Sequence, residues 1–200
     1  MKEFAKEGTR YDVDLSDEDT PVHVKVGGDI PKFVPNINMS KWHDEAWLNM
    51  NHPDPVGPEV EKFEDDRVEL AVGNNTHRYS LVGGGLSYEV IFTQRPVSNE
   101  VRFNMLFPEG LMFWYQPPLT QEEIDEGAER PENVVGSYAV YWKKRDNKYK
   151  TGKFCHIFRP RLVDAWGEWI WGEVEVLERR LIFKMDAEWL DNAHYPVVLG

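Results

Sequence analysis

Val68-Glu69-Leu70-Ala71-Val72, Gly73-Asn74-Asn75, Thr76 to Val82, Gly83-Gly84-Gly85 and Leu86 to Thr93 are five consecutive segments whose reading decides the fold. Val68, Leu70 and Val72 alternate with charged or small residues. Leu86, Tyr88, Val90 and Phe92 do the same. A period of two puts one set on a buried face and the other on a solvated face, as in an antiparallel strand. Gly-Asn and Gly-Gly runs between such segments are hairpin turns.

Working outward, the pattern continues. Val101, Phe103, Met105 and Phe107 alternate, Pro108-Glu109-Gly110 turns the chain, and Leu111 to Tyr115 follows. Strands are expected again at Val134 to Lys143, Tyr149 to Phe158, Trp169 to Leu177, Leu181 to Met185 and Tyr195 to Leu199. Asp164-Ala165-Trp166-Gly167 has the Asp-first, Gly-fourth signature of a type I turn. Two short helices interrupt. Thr120-Gln121-Glu122-Glu123 is a capping box, and Asp186 can cap a last turn through Trp189 and Leu190. About ten short strands spaced by turns predict an all-β antiparallel sandwich, jelly-roll-like or immunoglobulin-like, with short helices. The blocks 60–116 and 134–199 are read as its two sheets.

The N-terminal third reads differently. Val22, Val24 and Val26 form one short strand, but Asp17-Glu18-Asp19 reads as solvated. Pro31, Pro35, Pro53, Pro55 and Pro58 break any long element. Between them, Trp42 to Leu48 is expected to make one or two helical turns capped by Ser40. Residues 1–60 are therefore expected to be an arm and a Pro-rich structured loop, with the sandwich at 61–200.

Composition narrows the function. The chain has 35 acidic and 23 basic residues, net charge −12, with 41% hydrophobic and 13% aromatic residues. That is apolar enough for a core and too acidic for a phosphate binder, which needs clustered Lys and Arg. Lys143, Lys144, Arg145, Lys148, Lys150 and Lys153 read as a solvated hairpin tip. Neither nucleic acid nor an anionic membrane is an expected partner. The N-terminus lacks a signal peptide's apolar stretch, so no address is read there. Cys155 is the single cysteine, which excludes an internal disulfide and any multi-Cys zinc site.

No catalytic or cofactor motif is found. Gly83-Gly84-Gly85 lacks the Lys-Ser/Thr of a phosphate loop. Cys155 and His156 are strand neighbours pointing to opposite faces, so they make no dyad. Glu122, Glu123, Asp125 and Glu126 read as a solvated helix face rather than a glycosidase pair. His43 and His52 with Asp44 or Glu45 could supply a His-and-carboxylate metal site, but the spacing matches no established motif. Tryptophan stands out instead. Trp166, Trp169 and Trp171 cluster, and Trp42 and Trp47 form a second group. They are candidate contacts for a protein partner, or a sugar platform if exposed and coplanar.

The run Arg159-Pro160-Arg161-Leu162-Val163-Asp164-Ala165-Trp166-Gly167 is followed by Trp189-Leu190-Asp191-Asn192-Ala193-His194-Tyr195-Pro196-Val197. Together they resemble a β-rich module of large bacterial surface proteins and phage-encoded structural proteins. Its usual form is P-x-hydrophobic-x-D-x-x-G, then W-L-x-x-A-x-Y-P-V. The segment from Tyr88 to Phe107 is similar to the strand that precedes it there. The likeness covers about residues 68–199 and implies a scaffold module with no established activity, so no catalytic residues carry over. The pattern would continue with Asp-Pro where this sequence has Val198-Leu199-Gly200, which implies a fragment or a free-standing module. The sequence therefore predicts a non-enzymatic structural or assembly module, from a virion or surface protein, without cofactor or metal and contacting other protein subunits. The alternatives are a carbohydrate-binding module and a glycoside hydrolase-like domain.

Overall fold

The computed structural model describes residues 2–28, 35–53, 60–145 and 152–200. Pro31, Pro55, Pro58, Lys148, Tyr149 and Lys150, named above, lie outside them. The expected all-β antiparallel sandwich is what forms. Among the described residues every strand pair is antiparallel, in three sheets.

The first sheet holds eight strands. Five come from the N-terminal region: β1 (Ala5–Glu7), β2 (Arg10–Asp14), β3 (Val22–Gly27), β4 (Ile37–Lys41) and β5 (Ala46–Asn51). The expected arm and loop are thus largely strand. Tyr11 and Val13 are buried on one face of β2, while Arg10 Nε donates to Asp12 Oδ1 at 2.6 Å on the other. β5 pairs with β10 (Glu100–Leu106), which pairs with β17 (Arg180–Lys184) and then β16 (Glu173–Leu177).

The second sheet runs β15-β14-β18-β9-β8-β7-β6. These are β6 (Val60–Glu64), β7 (Arg67–Val72), β8 (Asn75–Val82), β9 (Gly85–Phe92), β14 (Arg161–Val163), β15 (Trp169–Trp171) and β18 (Val197–Leu199). The two strand blocks are therefore not one sheet each. Each block supplies strands to both sheets, because the chain crosses the sandwich between β9 and β10, again between β15 and β16, and returns between β17 and β18. Gly172 makes the second crossing. A Cβ there would meet Leu162 Cδ1 and the Lys184 carbonyl, each at 3.0 Å, so the backbones approach more closely than a side chain permits.

A third sheet of β11 (Leu111–Tyr115), β12 (Tyr138–Trp142) and β13 (Lys153–Ile157) covers one end. The helices are α1 (Gln121–Asp125) and α2 (Ala187–Asn192). Thr120 and Glu123 make the expected capping box, and Asp186 accepts from the Trp189 amide at 2.7 Å.

The core forms two clusters. One joins Leu48, Phe103, Met105 and Leu181 of the first sheet to Val90, Phe92, Leu162 and Val197 of the second, with Val140, Trp142 and Phe154 of the third. The other joins Tyr11, Val13, Val24 and Val26 to Val68, Leu70 and Tyr79. Met39, Met50 and Tyr88 touch both clusters.

Trp42 to Glu45 form no helical turn. They are the tip of the β4–β5 hairpin, in which Ser40 pairs with Trp47. Trp42, His43 and Asp44 have φ of 59°, 54° and 64°, three successive left-handed residues with no glycine. Such a conformation costs roughly 1–2 kcal/mol per residue with a Cβ. The exposed His43→Gly change should raise the unfolding free energy by about 0.5 kcal/mol, since glycine's own entropy cost offsets roughly 0.5–1 of the relief. Urea denaturation reads this directly. A loss of stability instead would mean that the His43 side chain holds the turn.

Candidate functional site

The residues of the resembling motif, far apart in sequence, meet at one place. Asp164 follows β14 and is buried at 7% exposure. Its Oδ1 accepts from the amides of Trp166 (2.8 Å) and Glu168 (3.0 Å). Its Oδ2 accepts from the amide of His194 at 3.0 Å and lies 3.3 Å from His194 Nδ1. The Ala165 amide donates to the His194 carbonyl at 2.8 Å, and the Gly167 amide closes the expected turn onto the Asp164 carbonyl at 3.1 Å. Burial alone would raise the Asp164 carboxyl, but the amides of His194, Trp166 and Glu168 outweigh it and hold it below the ordinary carboxylate range. Tyr195 anchors the other side of the junction, its hydroxyl donating to the Leu190 carbonyl at 2.9 Å.

This bonded loop displays Trp166. The indole is 74% exposed and stacks on the His194 ring, with centroids 3.2 Å apart and planes at 15°. Beside it, Trp169 and Trp171 share one side of β15 while Ile170 packs on the core. Their planes stand at 83°, so they form no coplanar platform. The Arg161 guanidinium lies 5.2 Å from the Trp169 ring and the Arg159 guanidinium 5.3 Å from Trp171, at cation–π distance. Trp42 and Trp47 lie elsewhere, at the β4–β5 turn and on β5, and both are half-buried. Lys41 and Arg145 flank the Trp42 ring at 4.9 and 5.0 Å. The two tryptophan groups are not brought together.

Two polar pairs resemble parts of catalytic sites. Asp164 with His194 resembles the orienting half of a triad. Among the described residues, however, no hydroxyl or thiol is hydrogen-bonded to His194. Ser137 Oγ lies 2.7 Å from His156 Nε2, a pair that periodicity does not reveal. Ser137 is fully buried, and its hydroxyl donates to the Val134 carbonyl. The imidazole must then be the donor in the pair, the reverse of what nucleophile activation requires. Burial, with Lys153 nearby, lowers the His156 pKa and favours that neutral ring. Cys155 and His156 lie on the strand β13, so they point to opposite faces. Burial pushes the Cys155 thiol up to about 12, against the lesser pull of Lys41 and Lys153. No group of three or more His, Cys, Asp or Glu suited to a metal ion occurs among the described residues, His43 and His52 included. No described helix is long and apolar enough to cross a membrane.

A hollow of about 470 Å³ opens between the two main sheets. Met39, Met50 and Phe103 of the first sheet, Leu86 and Tyr88 of the second, Cys155 to Ile157 of the third, and Phe158 and Arg159 just beyond it line the hollow. Val82 and Phe158, 63% and 51% exposed, belong to the same lining and mark where it reaches solvent.

A scan against protein-family models, a search of curated proteins and a search of solved structures each return no match.

Proposed function

We propose that the chain is a non-enzymatic assembly module whose neighbours are further copies of itself, contacted through Trp166 and the Trp–Arg ladder beside it. The observation that carries this reading is a 74% exposed indole on a loop held by a buried carboxylate. Exposed tryptophans usually move. One held rigid before contact loses little entropy on binding, which is the property of an interface anchor. Arg161 and Arg159 extend the face with the residue types that interfaces favour. The setting implied by the sequence resemblance, a phage particle or a large surface protein, suits such a module. A sugar platform has less support, because Trp169 and Trp171 stand nearly perpendicular and arginines lie over their rings.

Light scattering coupled to size exclusion, over a concentration series, tests the proposal. The wild type should gain mass with concentration, and more so at about 0.5 M salt, because screening weakens repulsion between chains of charge −12. Trp166→Ala should weaken association by about 2 kcal/mol, roughly 30-fold in Kd. Its melting temperature should move by no more than about 2 °C, since the side chain is largely in solvent. A wild type that stays a single chain at every concentration and salt would overturn the reading.

A further inference from the structure

We infer that the hollow between the sheets is a binding site for a small amphipathic carboxylic acid, an aliphatic body with one acidic head, held by Arg159. This does not depend on the assembly reading, although Arg159 stands at the border of the two surfaces, against Trp171 on one side and in the lining of the hollow on the other.

The hollow's size is the first argument. Facing sheets lie about 10 Å apart, and their side chains normally fill the gap at crystal-like density. Voids larger than a water molecule are few in such cores. Here about 470 Å³ is left open where the two core clusters adjoin. That is within the range of small-molecule pockets, roughly 300–1,000 Å³. Met39, Met50, Tyr88, Cys155 and Ile157 pack against the core yet keep solvent-accessible surface, and all five line the hollow.

The chemistry of the wall is the second argument. It is mostly apolar, a mixture of aliphatic, aromatic and methionine side chains, and methionines adapt to flexible chains. Arg159 is the one formally charged side chain among its described lining residues, in a chain of net charge −12. The arginine is already positioned. Its Nε donates to the Gly172 carbonyl at 2.9 Å, and its guanidinium stands 5.3 Å from the Trp171 ring. Its terminal nitrogens make no hydrogen bond among the described residues, which leaves that part of the fork for an incoming carboxylate. The rest of the wall offers an acyl chain apolar contact and little polar competition.

Dodecanoate and its uncharged match dodecanol are the probes, titrated calorimetrically into the full chain. Dodecanoate should bind at one per chain, and Arg159→Gln should weaken it about tenfold or more, the loss expected for a charge-assisted hydrogen bond. Dodecanol binding should be the same in both proteins, which also shows that the variant retains the hollow. Arg159→Lys should recover part of the dodecanoate affinity. Cys155 supplies a readout independent of heat, because it is the only thiol and lines the hollow. Its modification by methyl methanethiosulfonate, followed at about pH 9 because burial keeps the thiol protonated near neutrality, should slow several-fold once dodecanoate is bound. Equal dodecanoate affinity in wild type and Arg159→Gln would overturn the assignment of the acidic head. Absence of binding, with Cys155 unprotected, would overturn the site itself.

Discussion

Trp142→Ala is expected to lower the unfolding free energy by about 3–5 kcal/mol, the usual loss for a large aromatic removed from a core. Trp142 ends β12 and is 3% exposed. It packs in the same cluster as Val140 and Phe154 of the third sheet, and that cluster also contains Leu48 and Phe103 of the first. A Cβ at Gly110 would come within 3.3 Å of its ring, so the neighbouring turn already lies against the indole. Its Nε1 donates to Glu45 Oε1 at 2.9 Å, and Arg145 takes the other carboxylate oxygen at 2.6 and 2.9 Å. One side chain thus joins the third sheet to the β4–β5 turn by both packing and hydrogen bonding. Trp142→Phe keeps most of the volume and leaves Glu45 with Arg145, so it should lose only about 1–2 kcal/mol. Guanidinium unfolding followed by fluorescence and by circular dichroism measures both changes. If Trp142→Ala costs less than about 1 kcal/mol, the third sheet is not part of the cooperative unit.

Much of this arrangement was legible from residue periodicity, and the misses have physical causes. The strands from Arg67 to Leu106 alternate because each has one face in the core, and the turns between β7, β8 and β9 carry glycine where the backbone needs it. The Thr120 and Asp186 caps and the Asp164 turn are local chemistry, complete within four residues, so they read directly. β2 hides its period of two. Tyr11 and Val13 face inward, but Arg10 and Asp12 pair across the solvent side and give the stretch the look of a charged arm. The β4–β5 turn hides because its left-handed residues are Trp42, His43 and Asp44, none of which signals a turn as glycine does. Sheet membership is not a local property at all, so the interleaving of the two strand blocks leaves no trace in the pattern. At the candidate site, the tryptophans could be named from sequence. The carboxylate that holds Trp166 also binds a backbone amide thirty residues away, at His194. The hollow is an absence of atoms, and no residue type marks it.

The stability of the fold should fall by about 3 kcal/mol as the pH drops from 6.5 to 4, through the single residue His77. Its ring is 6% exposed, with Nδ1 2.8 Å from the Tyr88 hydroxyl and the His52 ring 5.8 Å away. Burial, and then the proximity of His52, push its pKa down to about 4 in the native chain, against 6.5 for a free histidine. Between those two values the unfolded chain binds a proton that the native chain refuses. Stability therefore rises with pH across that window, is complete above about 6.5 and is lost on acidification towards 4. His156, also lowered, acts in the same sense. Asp164 is held below the ordinary carboxylate range, so its loss falls at lower pH. Comparison with His77→Phe isolates the residue, because that variant has no proton to bind whatever its absolute stability. Urea midpoints measured at half-unit steps from pH 4 to 7.5 should slope for the wild type and be flatter for the variant. Equal slopes would place the titration elsewhere. A native-state His77 resonance that titrates near 6.5 would show that its ring is solvated, which the Tyr88 bond and the surrounding core do not allow.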